Sequence, residues 1–337
     1  MPGPKTHSEF TKPSIGGALI ADDYLTLVDD SCVALLPHVL RIAVELRLPD
    51  LLTTTTHVDD LCAAVGADAD AVYRLLRAMA TVGLVTEPAP RHFALSAAGH
   101  RLLPNTPDTA RESVANLDTY LTWLDAADVF RTGRPAERDY FAGTEDPAAF
   151  LRRMRDHAAR CYGDLPAHVD WTRSEVVLDI GGGDGFVLDR ILDHAPHLTG
   201  VLFDRPQVID TLTATARRHL AAGDFFAHLP PGADTHLLCS VLHNWNDEQA
   251  TTLLARSRAA LGPSGRLLII EMPVPPGDEW HPSKWSDLGM LVQTGGRERT
   301  IEEYGDLLTA GGFAITSVRP ITGSYFSVIE AEPTVAR

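Results

Sequence analysis

The sequence predicts an α/β protein: a mainly parallel, doubly wound sheet in the carboxyl-terminal part, preceded by a smaller, mostly helical unit. Three observations carry this. From Ser174 onward, apolar strand-like runs alternate with helical segments, as they do where helices cross over a parallel sheet. The run Val176-Val177-Leu178-Asp179-Ile180 breaks into Gly181-Gly182-Gly183-Asp184-Gly185, the form of a buried strand ending in a tight turn before a helix near Phe186. Before residue 100, two helical segments are followed by a glycine turn and a hairpin, the order of a winged helix.

The elements follow in order. Met1 to Ser14 is polar with prolines and reads as a disordered tail. Ala21 to Leu48 is largely apolar, and Leu25, Val28, Val33, Leu36, Val39, Leu40, Ala43 and Leu46 have helical spacing. Val58 to Val65 and Asp70 to Val82 read as helices, and Gly83-Leu84-Val85-Thr86 and His92-Phe93-Ala94-Leu95 as the hairpin. The second of these helices mixes Asp68 and Asp70 with Arg74 and Arg77. A recognition helix facing phosphates needs net positive charge, so a dimer scaffold is favoured over DNA binding. The apolar surface of so small a lobe exceeds what it buries alone, which points to a homodimer.

Thr106 to His168 reads as a helical connector broken by Pro135, Gly143 and Pro147. Beyond it, strands are expected near 176–180, 199–203, 224–228, 235–241, 266–271, 313–319 and 325–331. Helices are expected near 186–194, 207–220, 247–261 and 301–310. This divides the chain into 1–105, 106–168 and 169–337.

Composition narrows the function. The 337 residues are 45% hydrophobic and 22% charged, with a formal net charge of −16. Such acidity disfavours nucleic acid as a partner. Cys32, Cys62, Cys161 and Cys239 form no C-x-x-C pair, so no zinc or redox motif arises, and they read as free thiols of a reducing cytoplasm. No apolar run reaches membrane-spanning length.

Ligands of such sheets sit at the carboxyl ends of the strands, where Gly181, Asp204, Asp224 and Cys239 fall. The glycines lie at 181, 183 and 185, and position 186 is Phe where a dinucleotide fingerprint wants glycine. The loop therefore suits S-adenosylmethionine, which has no pyrophosphate to cradle, better than NAD. Asp204, ending the strand Leu198 to Phe203, is placed to accept hydrogen bonds from ribose hydroxyls. After the strand Leu237 to Leu242 comes His243, with Glu271 and Glu298 on neighbouring elements. A carboxylate on Nδ1 fixes the tautomer and leaves Nε2 as a base. Alone, His243 would read as a satisfied histidine on a strand end; the glycine loop, Asp204 and both glutamates reverse that. No strong metal-ligand cluster is apparent, and no metal is expected.

With these motifs together, the chain resembles the S-adenosylmethionine-dependent O-methyltransferases related to plant caffeic acid methyltransferases and to bacterial enzymes of natural-product biosynthesis. The resemblance runs from about residue 20 to about 332. It is carried by the glycine loop, Gly223-Asp224-Phe225-Phe226, His243-Asn244-Trp245 with Asp247-Glu248, and Gly296-Arg297-Glu298-Arg299-Thr300. It implies a Rossmann-like class I methyltransferase domain with a seven-stranded sheet behind a winged-helix dimerisation domain.

The resemblance also implies roles. Asp179, Gly181, Gly183, Asp204, Asp224, Phe225, Cys239 and Trp245 would bind the cofactor, and His243 would act as base with Glu271 and Glu298 orienting it. Phe150, Met154 and His157 would line one wall of the acceptor pocket, and Asp287, Met290, Leu291 and Thr294 the other. Phe150 and Met154 also suit plain helix packing at i, i+4 spacing. Cys239 departs from the lysine of the plant enzymes and the serine of bacterial relatives. The expected reaction is methyl transfer to the hydroxyl of a small aromatic compound. Diversion of the same fold to hydroxylation or decarboxylation is the nearest alternative, and a ligand-sensing winged-helix regulator the alternative of another class.

Overall fold

The structure, a computed structural model, describes residues 32–106, 109–124, 126–135, 147–262 and 264–334. The tail at 1–14 and the start of the first apolar stretch, 21–31, lie outside them. The chain forms two compact units, Met1–Pro104 and Asn105–Arg337.

In the first unit, helix Cys32–Glu45 leads through Leu48–Leu51 to strand β1, Thr56–His57. Helix Val58–Val65 ends at Gly66, whose φ of 70° suits glycine. Helix Ala69–Thr81 starts where Asp68 accepts from the amides of Asp70 and Ala71, and it buries Val72, Leu76 and Met79 on one face. Strands β2, Val85–Ala89, and β3, His92–Leu95, complete an antiparallel sheet of order β1-β3-β2. The core is Leu48, Leu52, Leu61, Leu76, Met79 and Phe93. Leu35 and Ile42 of the first helix remain 56% and 38% exposed.

The second unit is built on seven strands: β4 Val176–Ile180, β5 Thr199–Asp204, β6 Arg218–Ala222, β7 Thr235–Cys239, β8 Arg266–Glu271, β9 Phe313–Pro320 and β10 Ser327–Pro333. Their order is β6-β5-β4-β7-β8-β10-β9. Strands β4 to β8 pair in parallel, and β10 runs antiparallel between β8 and β9. Each face of the sheet carries its own apolar layer, one around Leu188, Leu202 and Leu237, the other around Leu178, Leu238 and Leu253. Helices Phe186–His194, Asp247–Ala260 and Ile301–Ala310 stand where the sequence predicts them. Being parallel neighbours, β5, β4, β7 and β8 bring their carboxyl ends to one edge of the sheet, the crevice where ligands of such sheets sit.

Several expectations are corrected. The segment 207–220 is not one helix: helix Pro206–Ile209 ends after four residues, and β6 begins at Arg218. Residues 224–228 form a turn, not a strand; the edge strand lies just before them. Strand β7 ends at Cys239, because Ser240 takes a left-handed φ of 53°, and His243 sits on the short 3-10 turn Leu242–Asn244. Pro147 opens helix Pro147–Tyr162 instead of breaking one, since its missing N–H is not needed in a first turn. Gly143 lies outside the described residues. Helix Pro282–Gln293, absent from the expected elements, follows β8.

Candidate active site

At one end of the crevice, Gly181 and Gly183 follow β4 with φ of 71° and 59°, a backbone that side chains resist. A Cβ on Gly182 would lie 2.4 Å from an Asp179 oxygen and from Leu202, so the loop folds tightly over the strand end. Asp204, at the end of β5, accepts from the Gly183 amide at 2.9 Å with Oδ2 and from the Arg205 amide at 2.7 Å with Oδ1. Each oxygen keeps a lone pair for a ligand hydroxyl. Burial raises its pKa against these two hydrogen bonds. Asp179 is only 1% exposed, and neither of its oxygens has a hydrogen-bond partner. Burial, then the charges of Asp204, Asp184 and Asp189, push it up to about 7.

Phe225, Phe226 and Trp245 form an edge-to-face cluster, with Phe225 and Trp245 centroids 5.7 Å apart. A Cβ on Gly181 would touch Phe225, so this cluster borders the loop. Phe226 joins it although the sequence singled out only its neighbours. Asp224 turns Oδ1 to the Phe226 amide at 2.8 Å. Cys239 is a free thiol whose pKa burial raises well above its ordinary value.

At the other end, His243 Nδ1 lies 3.0 Å from Glu298 Oε1 and 3.4 Å from Glu271 Oε2. Sheet geometry sets this pair: β7 and β8 are neighbours with Cys239 opposite Ile270, so the last residue of β8, Glu271, reaches the turn that leaves β7. Glu271 Oε1 accepts from the backbone amides of Leu242 and His243. Glu298 Oε1 also accepts from Ser286 Oγ at 2.7 Å. Burial opposes charge on the imidazole, but the two carboxylates outweigh it and hold His243 at about 9. Burial pushes Glu271 up to about 7, while the imidazole holds Glu298 low against its own burial. His243 Nε2 has no hydrogen-bond partner among the described residues. The three side chains place potential ligand atoms within 4.8 Å of one another. The Oε1 atoms of both carboxylates face proton donors, so the group is read as one that handles a proton.

Helix Pro147–Tyr162 carries Phe150, Met154 and His157, all half-buried. His157 is held down to about 4 by burial, with Arg160 and His243 adding to the effect. Its ring meets Tyr162 and Phe326 edge-on, and its Nδ1 lies 3.7 Å from Cys161 Sγ. Helix Pro282–Gln293 carries Asp287, Met290 and Leu291, with Thr294 at its end. Two of these have structural duties: Asp287 Oδ1 accepts from the Glu298 amide at 2.9 Å, and Thr294 accepts from the Gly296 amide. Leu291 packs toward Ala126 and Val129. Two residues given no role from the sequence join this group: Ser286 through its bond to Glu298, and Arg299, which stands in the Gly296–Thr300 motif, through the Leu242 and Trp245 carbonyls. At a different place, Arg173, Arg266 and Arg319 converge on Glu330, with Arg173 bonded also to Glu332 and Arg266 also to the Asp170 carbonyl and Ser174.

Comparison with known proteins shows the family. Residues 133–314 match the O-methyltransferase domain, and 31–105 match the O-methyltransferase dimerisation domain. O-demethylpuromycin-O-methyltransferase of Streptomyces alboniger is 36% identical, over 88% of this chain and 85% of that one. Aclacinomycin 10-hydroxylase RdmB of Streptomyces purpurascens is also 36% identical, over 84% and 82%. The crystal structure of NcsB1, an O-methyltransferase from neocarzinostatin biosynthesis, in complex with S-adenosylmethionine and 2-hydroxy-5-methyl naphthoic acid, matches at a TM-score of 0.75. It is 30% identical, and the match covers 88% of this chain and 95% of that one. S-adenosylmethionine fits the residues present, since the glycine cradle and the unpartnered buried Asp179 suit a ligand carrying positive charge. No helix among the described residues is long and apolar enough to cross a membrane. The chain belongs to the O-methyltransferase family: it is an S-adenosylmethionine-dependent O-methyltransferase whose first unit is a homodimerisation domain.

Proposed function

We propose that this enzyme methylates a hydroxyl of a flat, small aromatic natural product in the cytoplasm, with His243 as general base. We divide the chain into a dimerisation domain at 1–105, a connector at 106–168 that contributes to the acceptor pocket, and a catalytic domain at 169–337. The observation that carries the reading is the Nδ1–Glu298 hydrogen bond of 3.0 Å, which engages one imidazole nitrogen and leaves the other free to act as a base. Asp179, Gly181, Gly183, Asp204, Asp224, Phe225, Cys239 and Trp245 hold the cofactor. Phe150, Met154, His157, Met290 and Leu291 flank the acceptor, while Asp287 and Thr294 shape its wall by holding the 294–298 loop. Apolar and aromatic walls suit a planar ring.

Bound in this cradle, S-adenosylmethionine supplies a methyl group on a positively charged sulfur. The chain's own task is to hold the acceptor oxygen and take its proton at His243 Nε2. A free imidazole near pKa 6.5 facing a phenol near 10 would leave a gap of about 5 kcal/mol. With His243 held at about 9, the gap narrows to roughly 1.4 kcal/mol. The cost is that the resting imidazole is largely protonated at pH 7. Turnover should therefore rise as pH increases from 7 toward 9.

Calorimetric titration with S-adenosylhomocysteine, beside NAD as a control, tests the cofactor half. Binding of NAD alone would overturn it. Replacing His243 by Ala tests the other half: cofactor affinity should persist while turnover falls about 10²–10⁴-fold. A variant within a few-fold of wild type would remove His243 from the mechanism. Because one relative bears a hydroxylase name, product mass is the decisive readout for reaction type, and a methylated product is expected.

A further inference from the structure

We propose that Arg299 is a positioning residue for methyl transfer: its buried guanidinium clamps the turn that presents His243 and supplies the cation that lets a neutral imidazole exist between two buried carboxylates. This rests on the reading of His243 as the base.

Arg299 is 1% exposed, and all its donors are engaged. Nη1 donates to the carbonyls of Leu242 at 3.1 Å and Arg297 at 3.4 Å. Nη2 donates to the Trp245 carbonyl at 2.9 Å and to Asp247 Oδ1 at 2.8 Å, and Nε reaches the same oxygen at 3.0 Å. The Leu242 and Trp245 carbonyls bracket His243 and Asn244, so one planar group grips the turn on both sides of the base. The neighbouring residues reinforce it. The Arg297 amide donates to the His243 carbonyl at 2.8 Å, and a Cβ on Gly296 would lie 2.1 Å from that oxygen. Lysine, a point charge with three donors on one atom, cannot span these acceptors.

The electrostatic part follows from what faces His243: Glu271 from β8, Glu298 and Arg299 from the loop, and His157 from helix Pro147–Tyr162. Tyr304 feels the charge of both carboxylates and Tyr162 that of Glu271. When His243 gives up its proton, Glu271 and Glu298 carry two buried negative charges. Arg299 cancels one. Its charge acts to lower all three of His243, Glu271 and Glu298. Asp247, which shares the guanidinium, is 61% exposed, and solvent screens it. Taken away, Arg299 would leave the imidazole trapped in its protonated form.

The titration and exchange measurements need no identified acceptor; only the turnover control does. The full-length protein, loaded with S-adenosylhomocysteine, is labelled for histidine NMR, with the His243 signal assigned by its loss in H243A. In Arg299→Met the His243 titration midpoint should move up by about one pH unit. Amides of residues 242–247 should exchange about tenfold faster or more. In Arg299→Lys, which keeps the charge and the fold more readily, exchange should quicken while the midpoint stays. A purely structural role would speed exchange in both variants and move neither midpoint, which would sink the electrostatic half. Unchanged exchange in Arg299→Lys would sink the clamp. Full turnover by H243A would refute the base reading while leaving these shifts intact, so the two failures are distinguishable.

Discussion

Beside the glycine loop, Asp179 is buried with both oxygens unpartnered, and the groups that most perturb it are further acids. Beside His243, Glu271 and Glu298 are as deeply buried, yet an imidazole, a guanidinium, a serine hydroxyl and two backbone amides attend them. Among the described residues, the groups that perturb Asp179 include no cation; the second cluster carries its own. A site that must attract a positively charged cofactor gains from an unmet demand for positive charge. A site that must hand a proton on and recover it gains from a closed, balanced set.

The largest expected effect comes from unbalancing the closed set. Glu298→Gln removes the carboxylate bonded to Nδ1, and turnover should fall by up to about 10⁴-fold, the scale on which orienting acids act. With less negative charge opposing its burial, His243 should titrate lower, so the acid limb of the pH–rate profile should shift toward lower pH. A limb that stays put would mean Glu298 positions without tuning. Next, Asp204→Ala should weaken S-adenosylhomocysteine binding about 10²-fold, since hydrogen bonds to a charged group contribute roughly 1.5–3 kcal/mol; calorimetry reads this directly.

The third effect has the opposite sign. The folded pKa of Asp179, about 7, lies above its ordinary carboxylate value. Its favourable contribution is present below pH 4 or so and is lost as pH rises through about 7. Asp179→Asn, always neutral, should therefore stabilise the ligand-free protein at pH 8 by on the order of 1–3 kcal/mol, with little change at or below about pH 4. It should also bind cofactor less well. A destabilised variant at pH 8 would break the comparison. The smallest effect belongs to the exposed Arg152–Glu112 pair at 3.0 Å. Arg152→Ala should cost less than about 1 kcal/mol, since solvent screens such pairs.

Legibility followed the same division. The cofactor end is nearly contiguous in sequence: a β-branched strand, its glycines and the acid one strand later are local signals that survive without knowledge of the fold. β6 escaped because Arg218-His219-Leu220-Ala221-Ala222 is an edge strand with no β-branched residue, and the aromatic pair after it looked more strand-like. Pro206 opened a real helix, but nothing in the Thr- and Ala-rich residues beyond it marked its early end. His243, Glu271 and Glu298 could be given roles from motifs, whereas Arg299 stood in one of those motifs without a role. Its partners are mostly backbone carbonyls, which have no letter in a sequence. Ser240 was likewise invisible, since its left-handed backbone depends on the turn it makes.

The hydrogen bond from the Leu242 amide to Glu271 Oε1, 2.9 Å long and buried, gives the base an internal clock. That amide can trade its hydrogen for deuterium only when β8 and the turn part. Its exchange rate in heavy water therefore counts how often the base loses its acid partner. In a cofactor-saturated enzyme it should be among the last amides of the second unit to exchange. Any variant or solvent condition that hastens it is dismantling the catalytic pair before the sheet itself gives way.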